Sequence, residues 1–192
     1  KISLAHFSSI SLVMKPGSEI YFKLMKDLKK NSLISIDPNI RPSLIKSKKD
    51  FKKRFNNFLR IADIIKLSDE DFRYINSSDP NKIIPLWIKK NKLSTVILTK
   101  GKFGSVLFTE KYKIKIKSKK IKVLDTVGAG DIYHAGVISY LNKNKFLSKK
   151  LLNKVSKEQW IECLDFATKA AAINCKREGC NPPTFEEIQA LR

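Results

Sequence analysis

Residues 125–138 read Asp-Thr-Val-Gly-Ala-Gly-Asp-Ile-Tyr-His-Ala-Gly-Val-Ile. Two glycines, Gly128 and Gly130, stand in a polar turn that runs directly into an apolar helical pattern. Glycine lets the backbone turn tightly and leaves its N–H groups uncovered. Because these N–H groups fall at a helix start, where the helix dipole also favours negative charge, the stretch predicts an anion-binding site.

A carboxylate, Asp131, closes this turn and is a candidate proton acceptor beside the anion site. A base next to an anion hole is the arrangement that moves a phosphoryl group onto an alcohol. The simpler interpretation is a glycine-rich turn before an ordinary helix. A lone Gly-Ala-Gly would favour that interpretation, since short glycine motifs often match by chance.

The length and composition of the chain predict one globular domain. It has 192 residues, of which 42% are hydrophobic, so a packed core is within reach. No run of about 18 apolar residues predicts a membrane span, and the first residues do not have the pattern expected of a signal peptide. Since the chain starts with Lys1 in a strand-like segment rather than with Met, we expect a fragment or a truncated gene product.

The formal net charge of +21 admits nucleic acid, an anionic membrane surface or an acidic substrate as a partner. The lysines are scattered as pairs, without an aromatic-interleaved basic stripe. This pattern favours a solvated surface, and nucleic-acid binding by a non-catalytic remnant stays the alternative from another class. Three cysteines without a CxxC pair predict neither a disulfide framework nor a zinc site and fit a reducing cytoplasm.

Short apolar runs alternate with amphipathic stretches along the chain, which predicts a parallel sheet flanked by helices. Ligands of such sheets bind at the carboxyl ends of the strands. The predicted strands are in 3–12 and at 33–37, 62–67, 94–99, 105–108 and 112–117, and the predicted helices are at 18–29, 48–60, 81–90, 130–141, 146–156, 158–175 and 185–191.

The full string at 125–138 resembles the C-terminal signature of the ribokinase-like (pfkB-type) carbohydrate kinases, Asp-Thr-x-Gly-Ala-Gly-Asp followed, after three residues, by two small ones. Every fixed position is met. The resemblance implies an α/β, ribokinase-like fold with a mostly parallel sheet and helices on both faces. It makes residues 1–192 the C-terminal nucleotide-binding and catalytic part, without the N-terminal strands and β lid.

Carried onto this chain, the resemblance implies that three residues of the signature supply the anion hole and that Asp131 is the general base, close to the sugar. It leaves open a monovalent cation, K⁺, at Asp125 and the Val127 carbonyl, although Asp125 is equally explained as a turn cap. The three anion-hole residues are Gly128, Ala129 and Gly130.

Two further segments resemble family motifs after predicted strands. In Asp-Pro-Asn-Ile-Arg, Arg41 is expected to pair with phosphate oxygens and Asn39 with the sugar, although Arg41 is also explained as an ordinary loop arginine. The family's Asn-x-x-Glu appears here with Ser68 and Asp71 at the matching places and Glu70 adjacent. This predicts nucleotide contact at Ser68 and Mg²⁺ held through water by Asp71 or Glu70. The alternative is a helix first turn that favours acids.

The remaining predicted nucleotide contacts come from a Thr-x-Gly-x-x-Gly loop and from a small-residue helix on the adenine side. The resemblance assigns them to Thr99, Gly101, Gly104, Thr168 and Ala171. A hairpin turn and an alanine helix suited to close packing are the structural alternatives.

The implied reaction is ATP- and Mg²⁺-dependent phosphorylation of a sugar hydroxyl by a cytoplasmic enzyme. The opening 6–12 and the Cys-x-Arg-x-Gly-x-x-Pro-Pro-Thr-like tail resemble the fructokinase-like branch, with 2-keto-3-deoxygluconate kinase or ribokinase as rivals. A small-molecule sugar is the expected partner, without membrane or nucleic acid, and the family leaves open a homodimer of the full-length enzyme. With much of the sugar pocket absent, the isolated chain is expected to bind nucleotide even if it is a poor kinase.

Overall fold

The computed structural model describes residues 2–191, except the side chains of Ser9 and Ile10. The strands are β1 (Leu4–Ser8), β2 (Leu33–Asp37), β3 (Ile64–Ser68), β4 (Thr95–Thr99), β5 (Ser105–Phe108) and β6 (Lys113–Ile116). The helices are α1 (Gly17–Leu28), α2 (Lys48–Leu59), α3 (Asp69–Ile75), α4 (Pro80–Asn91), α5 (Ala129–Lys143), α6 (Lys149–Leu152), α7 (Lys157–Asn174) and α8 (Phe185–Ala190).

The six strands form one mixed sheet in the order β1-β2-β3-β4-β5-β6. Strands β1 to β4 are parallel, and β5 is antiparallel to both of its neighbours. Every strand except β5 therefore ends at the same edge of the sheet. The register puts Ser8 opposite Asp37 and Ser68 opposite Thr99 at that edge. The predicted fold class, a mostly parallel sheet between helical layers, is confirmed.

Each face of the sheet carries its own core, because successive strand residues point to opposite faces. One core packs α1 to α4 against residues such as Ile36, Leu67 and Leu98. The other core packs α5, α6 and α7 against Leu33, Ile64 and their neighbours. On the face that α5 covers, β2 and β3 are apolar near their amino ends, with Leu33 and Ile64. They are polar near their carboxyl ends, with Asp37 and Ser68.

Close contact between α5 and α7 sets the position of the helix that carries the signature. A Cβ added to Gly136 would lie 2.9 Å from Ala167 Cα, so only glycine permits this approach. The second of the two small residues at the end of the signature thus has a packing role. It lets α5 and α7 lie side by side against the sheet.

Most helix starts follow side-chain caps that the sequence shows. Ser68, Ser156 and Thr184 each form a capping box with the residue three positions later, and Ser47 caps α2. The helix predicted over 146–156 is a single turn, Lys149–Leu152, because Asn153 and its neighbours leave the helix there. Among residues 2–191, no helix is both long enough and apolar enough to cross a membrane.

Candidate active site

Two adjoining cavities open at the carboxyl edge of the sheet, where β3, β4 and the start of α5 meet. The larger has a volume of about 550 Å³ and the smaller about 350 Å³. Thr99 and Gly130 line both cavities. The predicted glycine turn therefore forms the boundary between two spaces that together suit an elongated, partly charged ligand.

The larger cavity contains most of the residues predicted to contact a nucleotide. Its walls combine apolar and small side chains with lysines, so it offers both a surface for a flat base and positive charge. The predicted residues in its lining are Thr99, Gly101, Gly104, Ala129, Gly130, Thr168 and Ala171. The lining that was not predicted includes Lys102, Lys120, Ile121, Val123, Tyr133 and Cys175.

The smaller cavity brings together the other two predicted segments. Arg41 and Asn39 enter from the loop after β2, and Arg41 Nη1 donates to Asn39 Oδ1 at 2.6 Å. Asn39 has a left-handed backbone, with φ of 40°. Ser68, Glu70 and Asp71 enter from the β3–α3 junction. Arg41 and the predicted magnesium residues therefore face the same space, whereas Gly128 and Asp131 of the signature are in the lining of neither cavity.

The signature turn has the local geometry that the sequence predicts. Gly128 is left-handed, with φ of 74°, and precedes α5 directly. A Cβ on Gly128 would lie 2.5 Å from Cys180 Sγ. Both the positive φ and the lack of space therefore exclude a larger residue. Ala129, Gly130 and Asp131 follow as the first three helical residues, whose N–H groups lack partners within the helix. The Ala129 N–H differs from the prediction, because it donates to the Thr126 carbonyl at 3.2 Å.

The helix behind Asp131 is held to the sheet by two buried hydrogen bonds. The Tyr133 hydroxyl lies 2.7 Å from Ser105 Oγ, and His134 Nε2 lies 2.7 Å from Ser35 Oγ. Asp131 itself is exposed, one turn before His134. The carboxylate predicted as a base is thus accessible, while the helix that carries it is fixed.

Gly104 has a structural requirement as well as a place in the larger cavity. Its φ is 90°, and an added Cβ would lie 2.0 Å from the Ile116 carbonyl oxygen. Gly101 also has a positive φ, but nothing lies within 4 Å of its would-be Cβ. The hairpin interpretation therefore accounts for Gly104 whether or not a nucleotide binds.

The carboxylates predicted to hold magnesium differ in their surroundings. Asp71 is buried and accepts hydrogen bonds from Ile40 N, Ser68 N and Ser68 Oγ at 2.7–3.0 Å. Glu70 is exposed in the lining of the smaller cavity. Within residues 2–191, no group of three or more His, Cys, Asp or Glu side chains could hold a metal. These two carboxylates fit an Mg²⁺ ion that is held mainly by water and phosphate, and Glu70 is the accessible one of the two.

The residues predicted for a monovalent cation already have protein partners. Asp125 accepts from the N–H groups of Val127 and Gly179 at 3.0 and 2.9 Å, and these bonds lower the pKa of its carboxyl. The Val127 carbonyl accepts from Asn174 Nδ2 at 2.9 Å. The turn-cap interpretation explains these contacts, and the cation site stays a prediction.

A family model described as pfkB family carbohydrate kinase matches residues 1–187. The chain belongs to the pfkB family. It is 35% identical over 146 residues to a fructokinase from Rhizobium leguminosarum bv. trifolii, a match that spans 76% of this chain and 44% of that protein. It is also 27% identical to probable fructokinase-7 of Arabidopsis thaliana, over all of this chain and 56% of the relative.

Solved structures show the same fold. The crystal structure of a fructokinase with bound ATP from Xylella fastidiosa superposes with a TM-score of 0.90 at 22% identity, over 98% of this chain and 60% of that one. A putative ribokinase II from E. coli in complex with ATP and Mg²⁺ gives a TM-score of 0.78 at 20% identity, over 97% and 57% of the two chains. The chain spans about half the length of the curated relatives it matches.

One component of this pfkB site was not predicted, the buried pair of Lys66 and Asp37. Lys66 Nζ donates to Asp37 Oδ2 at 2.5 Å, and both side chains are almost fully buried. The one signal in the sequence was a lysine between apolar residues of a buried strand, Ile65 and Leu67. Its partner lies on another strand, so the sequence could not show the pair.

The two histidines of the pfkB chain are far apart in the sequence but lie together behind the site. His6 Nδ1 is 3.2 Å from Ser35 Oγ, and the two imidazole rings are 4.4 Å apart. Burial lowers the pKa of His134 far below its usual value and also lowers the pKa of His6. His134 is therefore neutral near pH 7 and acts in packing and hydrogen bonding behind the site.

Proposed function

We propose that residues 1–192 form the nucleotide-binding and phosphoryl-transferring part of an ATP-dependent sugar kinase of fructokinase type. The observation that carries the proposal is the convergence of four separate motifs on two cavities that share Thr99 and Gly130. The match to the pfkB family model over residues 1–187 gives the reaction class. The fructokinases of Rhizobium and Arabidopsis favour fructose as the acceptor over ribose or 2-keto-3-deoxygluconate.

In the proposed complex, the base and ribose of ATP occupy the larger cavity and the phosphates point towards the smaller one. Thr168 and Ala171 on α7 provide a low wall for the base. The terminal phosphate then lies at the start of α5, where the N–H groups of Gly130 and Asp131 and the helix dipole favour negative charge. Arg41, across the smaller cavity, is placed to neutralise phosphate oxygens.

The proposed reaction needs few protein groups, because phosphoryl transfer depends mainly on positioning and charge stabilisation. Asp131 accepts the proton of the sugar hydroxyl as the oxygen attacks the terminal phosphorus. Asn39 is proposed to orient the sugar. When bound, Mg²⁺ would neutralise charge on the phosphates, held through water by Glu70 and the partly satisfied Asp71. Asp125 and the Val127 carbonyl are proposed to bind K⁺ only if their present hydrogen bonds rearrange.

The test compares Asp131→Asn with Asp27→Asn, a matched change of an exposed carboxylate on α1. Calorimetry should show that both variants bind ATP as the unmodified chain does, because neither residue lines the larger cavity. Transfer to fructose should fall by about 10²–10⁴-fold for Asp131→Asn alone, the usual contribution of a general base.

Three results would contradict the proposal. The first is a chain that binds no ATP, and the second is nucleotide binding without transfer to any of the three sugars. Near-normal turnover by Asp131→Asn would remove the base assignment while leaving the nucleotide site intact.

A further inference from the structure

Lys66 is a buried ammonium group that the function proposed so far does not use. Its side chain is 7% exposed, and Lys66 is the one lysine among the buried residues of the described range 2–191. Removing an ammonium from water costs several kcal/mol, which a single carboxylate offsets only partly. A buried apolar strand such as β3 would be served better by a leucine or methionine at this position. Stability alone therefore does not explain the buried charge of Lys66.

The hydrogen bonds of Lys66 leave donors available. An ammonium group has three N–H donors. Within the described part of the chain, Lys66 Nζ has one acceptor, Asp37 Oδ2 at 2.5 Å. Lys66 also lines the smaller cavity. Its two remaining donors can therefore serve a group that enters this cavity.

The position of Gly130 shows where that group would sit. A Cβ added to Gly130 would lie 3.1 Å from Lys66 Nζ and 3.9 Å from Cε. The ammonium thus packs against the second residue of α5. The first-turn N–H groups of α5 and the ammonium lie at the same end of the same helix, so two sources of positive charge meet at one point.

Asp37 keeps the ammonium at this point. Its side chain is almost fully buried, and its other oxygen accepts from Asn39 N at 3.2 Å. Burial raises the pKa of the Asp37 carboxyl, while the charge and hydrogen bond of Lys66 oppose that shift. Asp37 therefore links the ammonium to the loop that carries Asn39 and Arg41.

We propose that Lys66 is a further catalytic residue, whose two free N–H donors bind the phosphoryl group in transfer, and that Asp37 is its positioning residue. This inference rests on the function proposed above. The acceptor oxygen forms a bond to the terminal phosphorus, the bond to the bridging oxygen of ADP breaks, and the sugar proton passes to Asp131. Lys66 keeps its own protons throughout and lowers the barrier by its charge, as preorganised donors do.

The experiment measures binding of ADP and of a non-hydrolysable imido analogue of ATP, both with Mg²⁺, to the 192-residue chain by calorimetry. The variants are Lys66→Met, Lys66→Arg and Asp37→Asn/Lys66→Met, which removes both buried charges and protects against misfolding. Lys149→Met is the matched control, because Lys149 also pairs with a buried aspartate, Asp63, but at the far edge of the sheet.

Lys66→Met and the double variant should lose at least tenfold more affinity for the ATP analogue than for ADP, since only the former carries the phosphoryl group in transfer. Lys66→Arg should keep part of this preference, and Lys149→Met should change neither affinity. In a turnover assay with fructose, Lys66→Met should lower kcat by about 10²–10³-fold, the usual loss for one transition-state donor.

Different failures have different meanings. If the unmodified chain binds neither nucleotide, the proposed function and the Lys66 inference both fall. If it binds both and Lys66→Met loses equal affinity for each, or none, Lys66 only shapes the cavity and this inference alone is overturned.

Discussion

Two buried aspartates at opposite edges of the same sheet, Asp63 and Asp37, are each about 1% exposed and each pair with lysine. They differ in how many hydrogen-bond and ion-pair partners the protein gives each carboxylate. The comparison separates charge used to hold the fold together from charge kept available for a ligand.

Asp63 lies just before β3, at the amino edge, and is closed off by protein. Lys29 Nζ lies 2.6 Å from its Oδ2 and Lys149 Nζ 2.9 Å from its Oδ1, while Ile34 N donates to Oδ2 at 2.9 Å. The Asp63 carbonyl also accepts from Ser94 N. The Asp63 side chain thus connects the end of α1, α6 and β2, its carbonyl reaches the start of β4, and the residue lines neither cavity of the site.

Asp37 ends β2, at the carboxyl edge, and has fewer partners. It holds Lys66 and the Asn39 N–H, and beyond Lys66 lies the smaller cavity. The pair therefore has protein on one side and a binding space on the other. From this difference we propose that the Asp63 cluster serves stability and that the Asp37–Lys66 pair serves binding.

The largest expected effect comes from Asp63→Ala. It leaves the buried Ile34 N–H unpaired, which costs about 1–3 kcal/mol, and it removes two ion pairs whose partly exposed lysines contribute up to about 1 kcal/mol each. Urea unfolding measures the loss. Nucleotide affinity of the folded protein should stay the same, and a parallel loss of affinity would break the division between the two edges.

Asp37→Asn should change nucleotide binding and lower the stability less than Asp63→Ala does. We expect a loss of about 1–2 kcal/mol in unfolding free energy, because the amide keeps one hydrogen bond and water in the cavity reaches Lys66. The affinity for the ATP analogue relative to ADP should decrease, as we expect for Lys66→Met. A stability loss as large as that of Asp63→Ala, with unchanged binding, would make the two aspartates equivalent.

The carboxyl edge should also make stability depend on pH, since both histidines of the chain lie there. The folded-state pKa of His134 lies well below its unfolded value of 6.5, so the unfolded chain binds more protons as the pH falls below about 7. The unfolding free energy should therefore decrease from pH 8 to pH 5.5. Asp37 acts in the opposite sense, because its raised pKa favours the folded state at lower pH.

His134→Gln isolates the histidine contribution, because the Gln amide reaches about as far as Nε2 and can still bond Ser35. Urea unfolding at pH 8 and pH 5.5 should show a smaller decrease for this variant than for the unmodified chain. An equal decrease in unfolding free energy for both proteins would show that groups other than His134 cause the pH dependence.

The smallest effect is expected from Lys149→Met. The Lys149 side chain is 45% exposed, so its ion pair with Asp63 is screened by water and contributes about 0–1 kcal/mol. Urea unfolding in low and high salt measures it. A loss above about 2 kcal/mol would show that the amino-edge cluster depends on both lysines equally.

Much of the site could be predicted because its signals are local. Gly128 and Gly130 in a polar turn before an apolar periodic stretch predicted the start of α5 to within one residue. The acidic residues after Ser68 indicated the first turn of a helix, and the structure shows a capping box there. The family signature then placed four motifs in one site, and the two cavities bring together most of their residues.

Other features depended on contacts between distant segments. Asp71 accepts a hydrogen bond from Ile40 N, which the motif around Asp71 does not show. His6 and His134 are far apart in the sequence, yet Ser35 joins them. The spacing of residues in the sequence does not predict these contacts, because the partners lie on different strands and helices.

The amino-acid sequence by itself determined where strands and helices alternate, where α5 begins and which turn requires glycine, since these depend on neighbouring residues. Only the tertiary structure decided that Lys66 reaches Asp37 and Gly130, and that Asp63 is closed off while Asp37 faces a cavity. Sheet register and helix packing bring these groups together, and the energy of a charge depends on the burial and partners that this packing creates.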